Sequence, residues 1–95
     1  MHTIETQEHE WDPAKALANF SKHGVRFADA AAALRDEFAL MRVDPDSNGE
    51  VRYVSLGMDF TARVLLTVFA HRGEKIRIIS SRPASRTECD RYMQR

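Results

Sequence analysis

The run Val64-Leu-Leu-Thr-Val-Phe-Ala70 constrains this chain more than any other segment. It carries no charge and one hydroxyl, so it predicts a strand buried on both faces at the centre of a sheet. A chain of 95 residues is short for anything but one domain, expected here over 1–95. The flanking segments must therefore supply the cover for that strand. The hydrophobic share of 43% is ordinary for a globular chain and too high for a disordered one.

Upstream, the cover reads as helical. Asp12 is a capping residue and Pro13 suits the first helical position, where its missing N–H costs nothing. Gly24 is a natural stop, so the first helix is predicted from about Pro13 to His23. Its apolar stripe is Ala16, Leu17 and Phe20, with Phe20 and the later Phe69 expected in the core. Phe27, Ala30, Ala31 and Leu34 recur at helical spacing and predict a second helix over about Phe27 to Leu34. Residues 1–8 read as a loose lead-in, and Glu10 and Trp11 as a short strand or a hydrophobic staple. Phe38 to Val43 is a weak strand candidate. Asp44 to Gly49 is dense in turn residues, and Val51 to Met58 alternates with Val54, Leu56 and Met58 on one face. A turn at His71 to Glu74 joins the central run to Lys75–Ser81 in a hairpin. Ser85 and Glu88 form a capping-box pattern ahead of a last helix. The fold class is α+β: two N-terminal helices packed on an antiparallel sheet of three to four strands, with a short C-terminal helix.

The formal net charge of zero hides a split. From Met1 to Thr61 there are 6 Lys/Arg against 11 Asp/Glu, and from Ala62 to Arg95 there are 8 against 3. A basic half built almost wholly of arginine suits phosphate, which guanidinium binds as a fork. Chance segregation on a polar surface is the plain alternative. The acidic half argues against a non-specific coater of DNA. Cys89 is the single cysteine, which excludes an internal disulfide and points to a reducing compartment, the cytoplasm. No apolar run approaches the length of a membrane span. The histidines His2, His9, His23 and His71 stand at no ligand spacing, and no Gly-rich phosphate loop, GxSxG or HExxH motif is present, so no metal or cofactor is expected.

Phosphodiester cleavage without metal fits these residues better. RNA cleaves itself once its 2′-hydroxyl is deprotonated, its phosphorane stabilised and its leaving oxygen protonated, and protein side chains can supply each part. Strict alternation puts Arg63, Leu65, Thr67, Phe69 and His71 on one face of their strand, and Lys75, Arg77, Ile79 and Ser81 on one face of the next. If the two faces coincide, Arg63, His71 and Arg77 border one surface, with Arg82 close behind. Glu88 and Tyr92 lie on one side of the last helix. Each has a structural alternative. Arg77 can be a solvated strand residue, Glu88 a cap and Tyr92 a packing residue. Lys22 and His23 are favoured at a helix C-terminus by its dipole. Arg82, just before Pro83, is the hardest to explain by structure alone.

Three blocks resemble the BrnT family of bacterial toxins from type II toxin–antitoxin systems. The first is Glu10-Trp-Asp-Pro-Ala-Lys15, then Asn19, Lys22-His-Gly-Val25 and Phe27 leading into Ala30. The second is Arg52 to Gly57 with Arg63 and Val64 to Phe69. The third is Ile76 to Arg82, then Ala84, Glu88 and Tyr92. The resemblance implies a fold similar to RelE-type ribonuclease toxins and an endoribonuclease that halts translation by cutting RNA, on or off the ribosome. It also implies a ribbon-helix-helix antitoxin, BrnA-like, that neutralises the toxin and carries the complex to operator DNA. The implied catalytic positions are His23, Arg63, Arg82, Glu88 and Tyr92, with Lys22 and Arg77 binding RNA phosphate. In that reading Arg63, Arg77 and Arg82 clamp phosphate, Glu88 or His23 moves a proton, and Tyr92 stacks on a base or bonds to phosphate. The alternative is a non-catalytic module that docks an antitoxin and acts as co-repressor. Departures from the family pattern are Arg26 where a small hydroxyl residue is usual, Ala62 where glycine is common, and Ser81 where alanine is usual.

Overall fold

The structure, a computed structural model, describes residues 4–5 and 8–95. Among the described residues the chain runs β1 (Ile4–Glu5), β2 (His9–Trp11), α1 (Pro13–His23), α2 (Phe27–Leu34), β3 (Leu40–Val43), β4 (Tyr53–Met58), β5 (Val64–Arg72), β6 (Lys75–Pro83) and α3 (Arg86–Met93). The α+β class holds, and both N-terminal helices fall at the bounds read from their caps. Asp12 accepts the Ala14 N–H, and Gly24 ends α1 in the left-handed region at φ 70°. The capping box at Ser85 and Glu88 is formed on both sides.

The sheet is larger than expected and is mixed. Its six strands lie in the order β1-β2-β6-β5-β4-β3. Every pairing is antiparallel except β2 with β6, where His9 stands opposite Ile76 and Glu10 opposite Arg77. The Glu10–Trp11 segment thus covers an edge of β6 that a three- or four-stranded meander would leave bare. Of the loose lead-in, Ile4–Glu5 forms a strand, while residues 1–3 and 6–7 lie outside the described residues.

The central strand β5 is covered on both sides, as its apolar run demands. Phe69 and Ile78 pack with Phe27, Ala30, Ala31 and Leu34 of α2, and Leu65 with Val25 and Ala33. On the opposite face Leu56 and Val64 pack against Tyr92 of α3, with Leu66 and Cys89 beside them. Gly57 lets α2 lie close to β4: a Cβ there would fall 2.2 Å from the Ala33 carbonyl oxygen.

Two expectations for α1 need correction. Phe20 is not core but 44% exposed, with the Arg26 guanidinium 5.1 Å above its ring, and Leu17 is 75% exposed. The residue that fastens α1 is polar. Asn19 is buried, donates to the carbonyls of Val25 (3.1 Å) and Ser81 (2.9 Å), and accepts the Ser81 N–H at 3.0 Å. Each buried polar atom of that amide therefore has a partner, which converts a costly burial into a specific helix–strand register.

Candidate functional site

A β-bulge decides where the arginines go. Along the β5–β6 hairpin, Thr67 pairs with Ser81 and Val68 with Ser80, but Phe69 pairs with Ile78. Ile79 is the extra residue, and a one-residue insertion turns every later side chain of the strand to the other face. Ser81 therefore faces the helices, its hydroxyl 2.9 Å from that of Thr67, while Arg77 faces away from them, opposite Ala70. Arg82, opposite Leu66, shares that second face.

The second face is covered by α3 only at one end, and we term it the open face. Arg42 reaches it opposite Val54, and Arg72 opposite Lys75. Arg52 lines a groove with Arg72 and Arg77, and Arg91 of α3 lines another with Arg42, Leu66 and Glu88. Sequence reasoning singled out Arg77 and Arg82 and missed Arg42, Arg52, Arg72 and Arg91. For Arg52 and Arg72 the available signal was their even spacing from Val54 along β4 and from Ala70 along β5.

Arg82 is the most organised of the set. Its two terminal nitrogens hold Glu88 in a fork, Nη1 to Oε1 at 2.8 Å and Nη2 to Oε2 at 3.0 Å, and Nη1 also donates to the Pro83 carbonyl at 3.2 Å. Glu88 Oε1 in turn accepts the Ser85 N–H at 2.8 Å. The fork with Arg82, aided by the Ser85 N–H and opposed by burial, lowers the Glu88 carboxyl to about 2. The same fork raises Arg82. A carboxylate held that low is ionised throughout the physiological range and is a weak proton acceptor. Glu88 is thus built to aim Arg82. Arg77 is held by Glu50, and its buried Nε has no acceptor among the described residues.

Arg63 is not on this face. It shares the parity of Leu65 and points to the helices, where its Nε meets Asp59 Oδ2 at 3.2 Å, Nη1 the Gly24 carbonyl at 3.2 Å and Nη2 Asp29 at 3.6 Å. It ties the β4–β5 turn to the end of α1 and to α2. Asp59, 5% exposed, also accepts the N–H groups of Thr61 and Arg63. Burial pulls its carboxyl upward, and these bonds outweigh it and lower it. Within the turn, Ala62 sits at φ 64°, which explains why glycine is common there in the family the sequence resembles.

His71 is likewise on the helical side, edge-on to Tyr53 (5.1 Å) and Phe69 (6.0 Å). The expected border of Arg63, His71 and Arg77 therefore does not form, because the bulge separates Arg77 from the other two. Tyr92 is 2% exposed, with its hydroxyl on Asp36 and the Arg95 guanidinium 4.1 Å from its ring. It is closed to a stacking base. Burial, with the Asp36 hydrogen bond and charge, raises its phenol. Lys22 and His23 occupy the last turn of α1, beside the Gly24 carbonyl that Arg63 caps and one turn beyond Asn19, which bonds Ser81 next to Arg82.

Taken together, these features define a class: a small α+β protein with two helices on one side of its sheet and, on the other, an arginine-bearing face that α3 covers only at one end. Such a face suits a polyanion. Residues 11–88 match the family described as ribonuclease toxin, BrnT, of type II toxin-antitoxin system, and the chain belongs to that family. Its structure is similar to that of the Brucella abortus ribonuclease toxin BrnT, with a TM-score of 0.59 and 28% identity over 80% of this chain and 94% of that one. No curated protein matches the sequence. Membership implies an antitoxin partner. Among the described residues no helix is long and apolar enough to cross a membrane.

Proposed function

We propose that this chain is a metal-independent endoribonuclease that binds RNA across the open face of its sheet and inhibits translation in the cytoplasm. A ribbon-helix-helix antitoxin neutralises it and brings it to operator DNA. The observation that carries this reading is that Arg77 and Arg82 share the face that α3 covers only at one end, with Arg82 held by Glu88 of α3 and 41% exposed. Guanidinium groups held in advance stabilise the charge that develops on a phosphorane, and they favour loss of the 2′-proton next to it. Arg82 clamps the scissile phosphate, Glu88 is its positioning residue, and Arg77 holds phosphate along the strand. Arg63 and Tyr92 support the scaffold from the opposite face and from beneath α3. Proton transfer falls to a group other than Glu88. His23, with Lys22 beside it at the end of α1, is the remaining candidate from the sequence reading.

Induction without antitoxin, with RNA integrity followed over time, tests the proposal. Growth arrest and transcript loss in the wild type, both abolished by Arg82→Ala, are expected. Equal harmlessness of the two, with operator DNA shifted only when an antitoxin is added, would favour a non-catalytic co-repressor.

A further inference from the structure

The sequence marks Lys15 as part of one of its two specific blocks, yet Lys15 makes no contact with the Arg82–Glu88 fork. The structure places it on the wall of a groove of about 290 Å³ beside the first half of β6, where Lys15, Arg52, Arg72 and Arg77 stand around Trp11, Asp12, Ile78 and Ile79. Four of these eight residues are cations. Among the described residues Lys15 and Arg52 have no ion-pair partner, and both are exposed. Arg72 stands 4.0 Å from the buried Glu10 and is 64% exposed, and Arg77 is held on one arm by Glu50. Asp12 is occupied as the α1 cap. The groove thus gathers more positive charge than its carboxylates neutralise, over a concave floor rather than a convex surface, where a field is focused.

We infer that this groove is a second phosphate subsite, which holds a backbone phosphate of the RNA strand several nucleotides from the bond that is cut. The inference rests on the ribonuclease reading above and extends it. Arg77 and Arg82 are separated by roughly 15 Å along β6 at a strand rise of about 3.3 Å per residue. Neighbouring phosphates of one strand cannot bridge that gap, so the groove engages a non-adjacent phosphate and makes affinity depend on RNA length. Lysine and arginine contacts to phosphate release counterions, so the subsite contributes directly to the salt dependence of binding. The two unpaired cations, Lys15 and Arg52, leave donors for the phosphate oxygens without breaking the Arg77–Glu50 pair.

The test uses a fluorescent 12-mer of 2′-O-methyl RNA, which cannot be cleaved, titrated with full-length wild type and with Lys15→Gln/Arg52→Gln at several salt concentrations. The double variant should bind about tenfold more weakly at low salt, with a log K against log salt slope shallower by roughly 0.7 to 1.4, and with an unchanged melting curve. Arg72→Gln, at an exposed strand end, should show the same trend and serves if the double variant melts early. Equal affinity and slope in a wild type that binds RNA would overturn the subsite and leave the ribonuclease reading standing. A wild type that fails to bind RNA at any salt would overturn both. A polyglutamate peptide bound by wild type and lost in the variant, with RNA binding unchanged, would assign the groove to an acidic protein segment and overturn the subsite.

Discussion

Two arginine–carboxylate centres sit at the same end of the β5–β6 hairpin on opposite faces of the sheet, and they do different work. Arg63, 34% exposed, reaches Asp59, Gly24 and Asp29, partners on three separate elements, with the Asp59 side chain 1% exposed against 20% for Glu88. Arg82 is held by Glu88 and Pro83 from the segment that follows it, and its side chain stays 41% exposed. The first arrangement cross-links the fold, and moving it means opening the turn. The second fixes the direction of a guanidinium while leaving it reachable. Residue type alone does not separate the two roles; the spread of the partners does.

Substitutions at the two centres can break that comparison. Arg82→Ala should lower single-turnover RNA cleavage by about 100-fold or more, as loss of one preorganised charge donor does, with a loss of about 1 kcal/mol in unfolding free energy, because the pair is only part-buried. Asp59→Ala should show the reverse. It strips the turn of its N–H acceptor and leaves Arg63 without its main partner, at a cost of about 2–3 kcal/mol in urea unfolding, while cleavage per folded molecule persists. An Asp59→Ala protein that is stable and inactive would erase the distinction.

Acid titration sharpens the same contrast. Glu88 is lowered to about 2 in the folded protein, so the unfolded chain takes up its proton first as pH falls. Its contribution to stability is present above the ordinary glutamate range and is lost as pH drops from about 4.5 toward 2. Glu88→Gln should flatten that part of the stability profile. It should also reduce cleavage evenly across pH, because Glu88 acts through Arg82; a moved acid limb of the rate profile would instead mark it as the base. The smallest effect is expected at the turn. Ala62→Gly should raise unfolding free energy by about 1 kcal/mol, by relieving a left-handed alanine, without altering cleavage.

Much of this molecule is legible from sequence where a local signal exists. Asp12-Pro13 and Gly24 bound α1, Ser85 and Glu88 cap α3, and the Val64–Ala70 run places the sheet's centre. The non-local features are not legible. Nothing in Lys75–Ser81 marks Ile79 as a bulge, yet that single residue moves Arg77 from the helical face to the open one. The parallel pairing of β2 with β6 joins segments more than sixty residues apart. Nothing local in the sequence shows that the Asn19 amide closes on Ser81 and Val25. Ala62 is the reverse case, where a departure from the family pattern flags a backbone position that glycine would fit.

The central claim is that RNA lies on the open face. Arginine Nε–Hε resonances, followed by NMR during titration with a non-cleavable 2′-O-methyl RNA, test it most directly. The account predicts that Arg77 and Arg82 shift while Arg63 stays unmoved. Shifts at Arg63, with Arg77 and Arg82 unchanged, would place the RNA on the helical side and contradict it.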